Sequence, residues 1–340
     1  MAPDPHRLST RGHALPKIEL HVHLEGAITP ALAACLARRH GHEPDEVLML
    51  EDGAYPARYD GFDHFLRTFL ATSAQVRTPE DLAEVAAGFA TGQAEQGIVH
   101  TEVTFTAATH IEAGMEPHAM WAALRDGFAA APDVEVGLIV DVVRDGGPAA
   151  AAHTVRLVEQ ADAPIVGLGL SGSEGSVPEG EFTLLRTAAD RLGLGLTVHA
   201  GETGDAGNVR AAVDELGADR IGHGIATIDD EELTRRLATA QIPLEVCPSS
   251  NVALRLTPTL DTHPLPRLHG AGLTVVIGSD DPPFFATTFS DELAHAQRLL
   301  ALDDDGLADL QVAAARAAFV PAARREQLVA AVEQWRRRSA

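Results

Sequence analysis

The chain has 340 residues, of which 45% are hydrophobic, so it is long enough to bury one large core. Its 26 lysine and arginine residues are outnumbered by 49 aspartate and glutamate residues, which gives a net charge of −23 at pH 7. This balance argues against duplex nucleic acid and anionic membrane surfaces as partners, because both bind clusters of basic side chains. An acidic, solvated surface that keeps the protein soluble explains the charge better.

Short apolar runs alternate with amphipathic stretches along the chain. An apolar run bounded by turns is typical of a strand buried in a parallel sheet, and the stretches between these runs predict helices. The predicted strands are 18–23, 99–105, 134–140, 165–170, 194–199, 220–222, 243–247 and 273–278. The predicted helices are 30–39, 61–74, 79–96, 120–130, 149–160, 182–191, 208–216, 230–240, 263–269, 293–302, 306–317 and 322–337.

This order of elements predicts an α/β fold, a (β/α)₈ TIM barrel with extra helices after the first strand and at the C-terminus. An open doubly wound sheet is the alternative, and it is weakened because no glycine-rich phosphate loop follows the first strand. Residues 1–15 are polar and aperiodic, which predicts a loose tail. Residues 16–340 are then expected to form a single barrel domain.

The two cysteines, Cys35 and Cys247, each lie among apolar residues, which predicts buried free thiols rather than a disulfide. Residues 1–20 lack the apolar core of a secretory signal, and no apolar run is long enough to span a bilayer. A cytoplasmic location is therefore expected. The sequence shows no coiled-coil repeat and predicts no particular oligomeric state.

Two histidines, His21 and His23, stand two apart on the first strand and therefore point to one face. His199 ends the fifth strand, and Asp280 follows the eighth. In a barrel the carboxyl ends of all strands open on one mouth, where these four side chains would meet. Three imidazoles and one carboxylate leave a position for water, which is the pattern of an open, catalytic zinc site.

Each of these groups alone has an ordinary explanation, since paired histidines can be structural and acids after a strand can begin a turn. Their coincidence at several strand ends favours one Zn²⁺ per chain. Lys17 is the only lysine, and it precedes the first strand. Because binuclear barrel hydrolases often bridge two metals with a carboxylated lysine on a middle strand, one metal is favoured over two.

Three further groups follow the same strand ends and need not bind the metal. Glu202 lies on the loop after His199, His223 ends the sixth strand, and Asp281 follows Asp280. Zinc lowers the pKa of its water to about 7. Asp281 could accept the proton of this water or orient the hydroxide, and His223 could stabilise or position the hydroxide. A carboxyl at Glu202 could protonate a ring nitrogen of a heteroaromatic amine, which suits hydrolytic deamination.

Five motifs occur in order between about residues 16 and 300: Pro16-Lys-Ile-Glu-Leu-His-Val-His-Leu-Glu-Gly26, His199-Ala-Gly-Glu202, Gly222-His-Gly224, Cys247-Pro-Ser-Ser-Asn251 and Ser279-Asp-Asp-Pro282. As a set they resemble the adenosine/adenine deaminase family of the amidohydrolase superfamily. The resemblance implies a (β/α)₈ barrel that deaminates a small purine. It also implies that one zinc is bound by His21, His23, His199 and Asp280. Glu202 would donate a proton to N1 of the purine, and His223 and Asp281 would act on the attacking water. The backbone N–H of Gly172 would meet a purine ring nitrogen.

The resemblance leaves several substrates open. Glu25 occupies the position of the aspartate that meets the ribose in nucleoside deaminases and is similar to the adenine branch, whereas Gly222-His-Gly-Ile-Ala-Thr227 is more similar to the nucleoside branch. Adenosine or 2′-deoxyadenosine is the expected substrate. Adenine and aminodeoxyfutalosine, a nucleoside with an extended 5′ group, are the alternatives. An anionic tail would need an arginine, for which Arg144 is the candidate, although a surface salt bridge is its simpler role.

Phe62, Phe65, Leu66 and Phe69 have helical spacing and resemble the family's apolar helix beside the pocket mouth. The expected substrate contacts are His23, Glu25, Gly172, Phe65 and Phe69, although core packing explains the phenylalanines equally well. Two other functions compete with deamination. A metal-dependent amide or ester hydrolase would leave Glu202 without a task, and a non-enzymatic binding protein would be expected to have lost a metal ligand.

Overall fold

Eight parallel strands form one sheet in the computed structural model, which describes residues 7–338. Each strand neighbours the next one in the chain, and Val22 also forms a parallel bridge to Asp280, so the sheet closes on itself. The fold is the predicted (β/α)₈ TIM barrel. Its strands are β1 Lys17–His23, β2 Ile98–Phe105, β3 Glu135–Val143, β4 Ile165–Ser171, β5 Gly195–Ala200, β6 Arg220–His223, β7 Leu244–Val246 and β8 Val275–Ile277.

The helices within residues 7–338 surround the barrel and extend its two ends. They are α1 Thr10–His13, α2 Pro30–Arg39, α3 Pro44–Val47, α4 Phe62–Ser73, α5 Pro79–Glu95, α6 Ala107–Glu112, α7 Pro117–Phe128, α8 Gly147–Glu159, α9 Thr183–Leu192, α10 Ala206–Asp214, α11 Glu231–Ala240, α12 Pro248–Ala253, α13 Leu265–Gly270, α14 Phe289–Leu299, α15 Asp304–Ala317 and α16 Ala322–Arg338.

Every predicted strand and helix is present, and all except α2 have shifted ends. The helices that the sequence did not predict, α1, α3, α6 and α12, have only four to six residues, which is too short for a helical period to show. Helix starts follow local chemistry. The Thr29 side chain caps α2 ahead of Pro30, and Thr78 forms a capping box with Asp81 at the start of α5.

The described part of the predicted loose tail is packed against the barrel, which corrects that prediction for residues 7–15. Leu8 and Leu15 are buried, and α1 lies between them. The Arg11 guanidinium stacks on the Trp335 ring at 4.5 Å from its centroid and pairs with Asp305 at 2.7 Å. These contacts join the two ends of the domain. Residues 1–6 lie outside the described residues.

Both cysteines are free, and Cys247 is buried as predicted. The expectation for Cys35 was wrong, because this side chain is exposed. Helix α2 buries Ala33, Leu36 and Ala37, and its other face, which carries Cys35, points to solvent. Within residues 7–338, every helix is too short or too polar to cross a membrane.

Candidate metal centre and active site

The four predicted metal ligands meet at the mouth of the barrel. His21 and His23 on β1, His199 on β5 and Asp280 after β8 place their ligand atoms within 4.8 Å of one another. The Nε2 atoms of His21 and His23 lie 3.5 Å and 3.3 Å from Oδ1 of Asp280. The barrel thus brings together residues that are up to 259 positions apart in the chain, from 21 to 280.

This donor set fits a divalent metal ion. Within the described part of the chain, Nε2 of His21 and Nδ1 of His199 are buried without a hydrogen-bond partner, which is costly unless a ligand satisfies them. Burial and the neighbouring imidazoles hold the pKa of His199 well below its ordinary value, so this ring is neutral, as a metal ligand must be. Burial opposes charge on His21, but the negative charges of Asp280 and Glu245 raise its pKa to about 9. The same two carboxylates make the site attractive to a metal cation.

A second set of potential ligands overlaps the first. His223, Cys247 and Asp280 also lie within 4.8 Å of one another. Burial raises the pKa of the Cys247 thiol well above its ordinary value, so the protonated form dominates. Because a thiol binds metals as the thiolate, the three histidines with Asp280 form the better site.

The backbone at two of these residues is strained. Asp280 has a φ of 62° and His223 a φ of 59°, in the left-handed region that non-glycine residues enter at a cost of about 1–3 kcal/mol each. Hydrogen bonds across the barrel seam hold Asp280 in this conformation. Its N–H donates to the carbonyl of His21 at 3.1 Å, and its carbonyl accepts from the N–H of His23 at 2.9 Å. The seam therefore fixes the carboxylate between the two histidines.

A buried ionic chain lies behind His21. Glu245 on β7 accepts a hydrogen bond from Nδ1 of His21 at 2.8 Å, which fixes the ring with Nε2 toward the metal position. The other Glu245 oxygen lies 2.5 Å from Nε of Arg220, and Arg220 also pairs with Glu102 at 2.6 Å. No sequence pattern predicted this ionic chain. The sequence feature that could have indicated it is one charged residue within each of three apolar strands. Charged residues at such positions are buried, and a buried charge needs a partner.

Replacing Glu245 with glutamine is expected to weaken zinc binding about 10- to 100-fold, because an amide oxygen orients the His21 ring less firmly and lacks the negative charge. Competition with a fluorescent chelator measures the affinity. Glu292→Gln is the matched control, since Glu292 is also fully buried but contacts Ser249 and Thr287 instead. An equal loss of affinity in both variants would contradict a specific role through His21.

Glu202 lies in a cavity of about 370 Å³ at the barrel mouth, together with His223 and Asp281. Its Oε1 lies 3.7 Å from Nε2 of His223. Burial, with the charges of Asp280 and Glu174, raises the pKa of Glu202 well above its ordinary value. The raised pKa favours the protonated carboxyl, which can act as an acid. Burial lowers the pKa of His223 to about 3, so its ring is neutral.

The loop that carries Glu202 is held by another acid, Glu174, which follows β4. The Glu174 carboxylate accepts hydrogen bonds from the backbone N–H groups of Gly201 at 2.6 Å, Glu202 at 2.8 Å and Thr203 at 2.9 Å. Gly172, two residues earlier, lines the cavity with a φ of +90°, and a Cβ there would lie 2.5 Å from Asp145. The loop after β4 therefore lines the cavity through Gly172 and, through Glu174, holds the neighbouring loop that carries Glu202.

Replacing Glu174 with alanine is expected to lower kcat by up to about 10²-fold, because three unpaired N–H groups would let Glu202 move from its position. Steady-state kinetics with unchanged zinc content would show the effect. Glu181→Ala is the control, since Glu181 is an exposed acid on the same β4–α9 connection. Equal kcat values for Glu174→Ala and the wild type would show that the loop keeps its position without this carboxylate.

Glu25 lies at the rim of the cavity and is buried, with 3% of its surface exposed. Its Oε1 accepts hydrogen bonds from the backbone N–H of Thr106 at 3.1 Å and from Nε2 of His110 at 3.2 Å. Its Oε2 has no hydrogen-bond partner within residues 7–338. The next residue is Gly26, where a Cβ would lie 1.8 Å from Oδ1 of Asp281, so a larger residue here would collide with the Asp281 carboxylate.

The apolar wall of the cavity is provided by helix α4. Phe62, Phe65, Leu66 and Phe69 line the cavity, as the resemblance implied. Phe65 also packs against Tyr59, Phe284 and Phe285 in a separate apolar cluster, so it both lines the cavity and belongs to a packed core.

Arg144 is in neither of the two places that the sequence suggested. It is fully buried, pairs with Glu179 at 3.0 Å, and donates hydrogen bonds to the carbonyls of Ser171 and His199. It therefore ties together the ends of β4 and β5 beneath the mouth. It cannot meet the tail of a substrate or form a surface salt bridge.

A (β/α)₈ barrel with a histidine–aspartate cluster and acids at its mouth defines the amidohydrolase class. A family model described as adenosine deaminase matches residues 16–335. The chain is 36% identical over 322 residues to an adenine deaminase from Sinorhizobium medicae, covering 94% of this chain and 98% of that protein. It is also 36% identical over 330 residues to an aminodeoxyfutalosine deaminase from Streptomyces avermitilis, covering 94% and 91%.

The fold is also similar to a crystal structure of an amidohydrolase from Burkholderia ambifaria with bound Zn, with a TM-score of 0.84, 25% identity and coverage of 97% and 94%. The chain belongs to the adenosine deaminase family. It is a purine deaminase, a hydrolase that acts on C–N bonds of cyclic amidines. These relatives are named for the two alternative substrates, adenine and aminodeoxyfutalosine, and do not specifically support adenosine, the expected one.

Proposed function

We propose that this protein catalyses the zinc-dependent hydrolytic deamination of a 6-aminopurine nucleoside with an extended 5′ group, of the aminodeoxyfutalosine type. The observation that carries the proposal is the size of the cavity around Glu202. At about 370 Å³ it lies within the range of roughly 300–1,000 Å³ typical of sites for drug-sized ligands, and it exceeds what a bare purine base fills. The Streptomyces avermitilis relative carries the name of this activity.

One Zn²⁺ is the proposed metal, with His21, His23, His199 and Asp280 as its ligands. When bound, it would activate a water molecule as the nucleophile. Support comes from the three-nitrogen, one-oxygen donor set and the unpartnered Nε2 of His21. The Burkholderia ambifaria structure with bound Zn supports the same metal.

The side chains of the cavity supply the proton transfers. Glu202 donates its proton to N1 of the purine ring, which makes C6 more electrophilic. Asp281 has a buried Oδ1 with no hydrogen-bond partner among the described residues, and this oxygen accepts a proton from the attacking water. The neutral His223 donates an N–H to the attacking oxygen. The C6–O bond forms, Asp281 passes its proton to the amino group, and the C6–N bond breaks as ammonia leaves. The remaining O–H proton returns to the Glu202 carboxylate, and N1 keeps the proton that it received.

Substrate orientation is assigned to groups on the cavity wall. The backbone N–H of Gly172 donates to a purine ring nitrogen, and Phe65 and Phe69 pack against the apolar part of the substrate. His23 and Glu25 face the sugar. Within residues 7–338, the residues that line this cavity include no lysine or arginine, so the cavity offers no basic side chain to an anionic part of the substrate.

Adenine is the second candidate substrate. Glu25 favours it, because glutamate at this position resembles the adenine branch of the family. The Sinorhizobium medicae relative is named adenine deaminase.

The test is a panel of four substrates with zinc-loaded protein: adenosine, 2′-deoxyadenosine, adenine and aminodeoxyfutalosine. Ultraviolet absorbance follows loss of the amine, and a coupled assay measures ammonia. We expect the highest kcat/KM for aminodeoxyfutalosine. A higher value for adenine would select the second candidate, and no turnover of any compound would rule out the substrate class.

A further inference from the structure

A second cavity adjoins the catalytic one. It measures about 390 Å³ and shares three lining residues with the catalytic cavity, Leu70, Ser73 and Thr109. It lies between the C-terminal end of α4 and helix α6, and it extends to His110 and Arg77. The two cavities together could hold a ligand much longer than a purine base.

Glu25 shows which end of the substrate faces the second cavity. Its carboxylate lines the catalytic cavity, and it accepts a hydrogen bond at 3.2 Å from His110, which lines the second. In the proposed function Glu25 faces the sugar, whereas Glu202 meets N1 at the other end of the nucleoside. The second cavity therefore begins where the 5′ group of a bound nucleoside would leave the catalytic cavity.

Arg77 supplies positive charge at the far end of this path. Its Nε donates to the carbonyl of Ala74 at 3.3 Å, which holds the side chain against the end of α4. In the described part of the chain, no carboxylate pairs with this guanidinium, and no other lysine or arginine lines either cavity. The protein has a net charge of −23, yet this guanidinium has no carboxylate partner among the described residues, so it is available to an anionic ligand. Its planar guanidinium matches a carboxylate with two parallel hydrogen bonds.

We propose that the second cavity is a subsite for the 5′ substituent of the substrate and that Arg77 recognises a carboxylate at its end. The inference rests on the proposed deaminase function and specifies its substrate class. The substrate is a 6-aminopurine nucleoside whose 5′ group passes Ser73 and Thr109 and ends in a negative charge. Arg77 thus takes the role that the sequence analysis considered for Arg144.

The experiment compares two substrates that differ only in this charge, aminodeoxyfutalosine and its methyl ester. The measured quantity is the ratio of kcat/KM for the acid to kcat/KM for the ester, in zinc-loaded wild type and Arg77→Gln. We expect the ratio to fall about 10- to 100-fold in the variant, since a hydrogen bond to a charged group contributes roughly 1.5–3 kcal/mol. Arg67→Gln is the matched control, because Arg67 is exposed on α4 and lines neither cavity.

The outcomes separate the subsite from the reaction. An unchanged ratio in Arg77→Gln, or an equal fall in Arg67→Gln, would overturn the role of Arg77 even if both compounds are deaminated. Turnover of adenosine without turnover of either extended compound would overturn the subsite and leave deamination standing. If wild-type protein deaminates no 6-aminopurine, the proposed function fails and the subsite fails with it.

Discussion

Replacing Glu202 with glutamine is expected to lower kcat by about 10²- to 10⁴-fold, which is the contribution of a positioned acid–base group. Glutamine keeps the size of the side chain but has no acidic proton for the purine ring. Glu202 is not part of the cluster of potential metal ligands, so the zinc content should stay at the wild-type level. Steady-state kinetics and metal analysis of the same samples measure both quantities.

Two results would contradict this role of Glu202. Wild-type turnover in Glu202→Gln would remove Glu202 as the proton donor, and loss of zinc together with turnover would make it a support for the metal instead. Glu181→Gln is the control for removing a carboxylate, because Glu181 is exposed and outside the cavity.

The pH dependence of kcat provides an independent check on Glu202. Burial and nearby carboxylates raise its pKa, and the protonated form is the active one. Activity is therefore present below the raised pKa and falls as the pH increases through it. This alkaline fall should be absent in Glu202→Gln, since the amide does not titrate in this range. If kcat of Glu202→Gln fell with increasing pH in the same way as kcat of the wild type, the fall would belong to another group.

Replacing Arg220 with methionine is expected to lower the free energy of unfolding by about 3–5 kcal/mol, which is typical when one partner of a buried ion pair is removed. Arg220 is 1% exposed and pairs with Glu102 at 2.6 Å and Glu245 at 2.5 Å. Its guanidinium also stacks on Phe319 at 3.6 Å from the ring centroid. Methionine fills much of this space but leaves two buried carboxylates without their cation.

Urea unfolding of the metal-free proteins measures this loss of stability. Arg186→Met is the control, because Arg186 pairs with Asp190 and Asp219 at the surface, where such pairs contribute at most about 1 kcal/mol. The double variant Arg220→Met with Glu102→Gln should recover part of the loss, since it removes one unpaired charge. A loss as small as that of Arg186→Met would contradict the buried ionic chain behind His21.

The barrel and the metal cluster were predictable because their signals are local in the sequence. Each strand is a short apolar run, and the period of two along a strand places His21 and His23 on one face. The parallel topology then requires that strand ends as distant as His199 and Asp280 meet at one mouth. No long-range contact had to be known in advance.

The groups that support the cluster were not predictable, because their roles depend on pairs between distant strands. The sequence shows Glu102, Arg220 and Glu245 as charges within apolar strands, but it does not show which of them pair. For Arg144 the sequence suggested either a place at the mouth or a surface salt bridge, whereas the side chain is buried and donates hydrogen bonds to the carbonyls of Ser171 and His199 at the ends of β4 and β5. Glu174 acts on the loop of Glu202 through backbone N–H groups, which leave no trace in residue types.

The most direct test of the account is a zinc titration of metal-free protein with ammonia release as the readout, using aminodeoxyfutalosine and adenine as substrates. With one zinc held by His21, His23, His199 and Asp280, activity should rise linearly and stop rising at one equivalent of zinc per chain. Full activity without added zinc, or a linear rise that continues to two equivalents, would contradict the proposed mononuclear zinc deaminase.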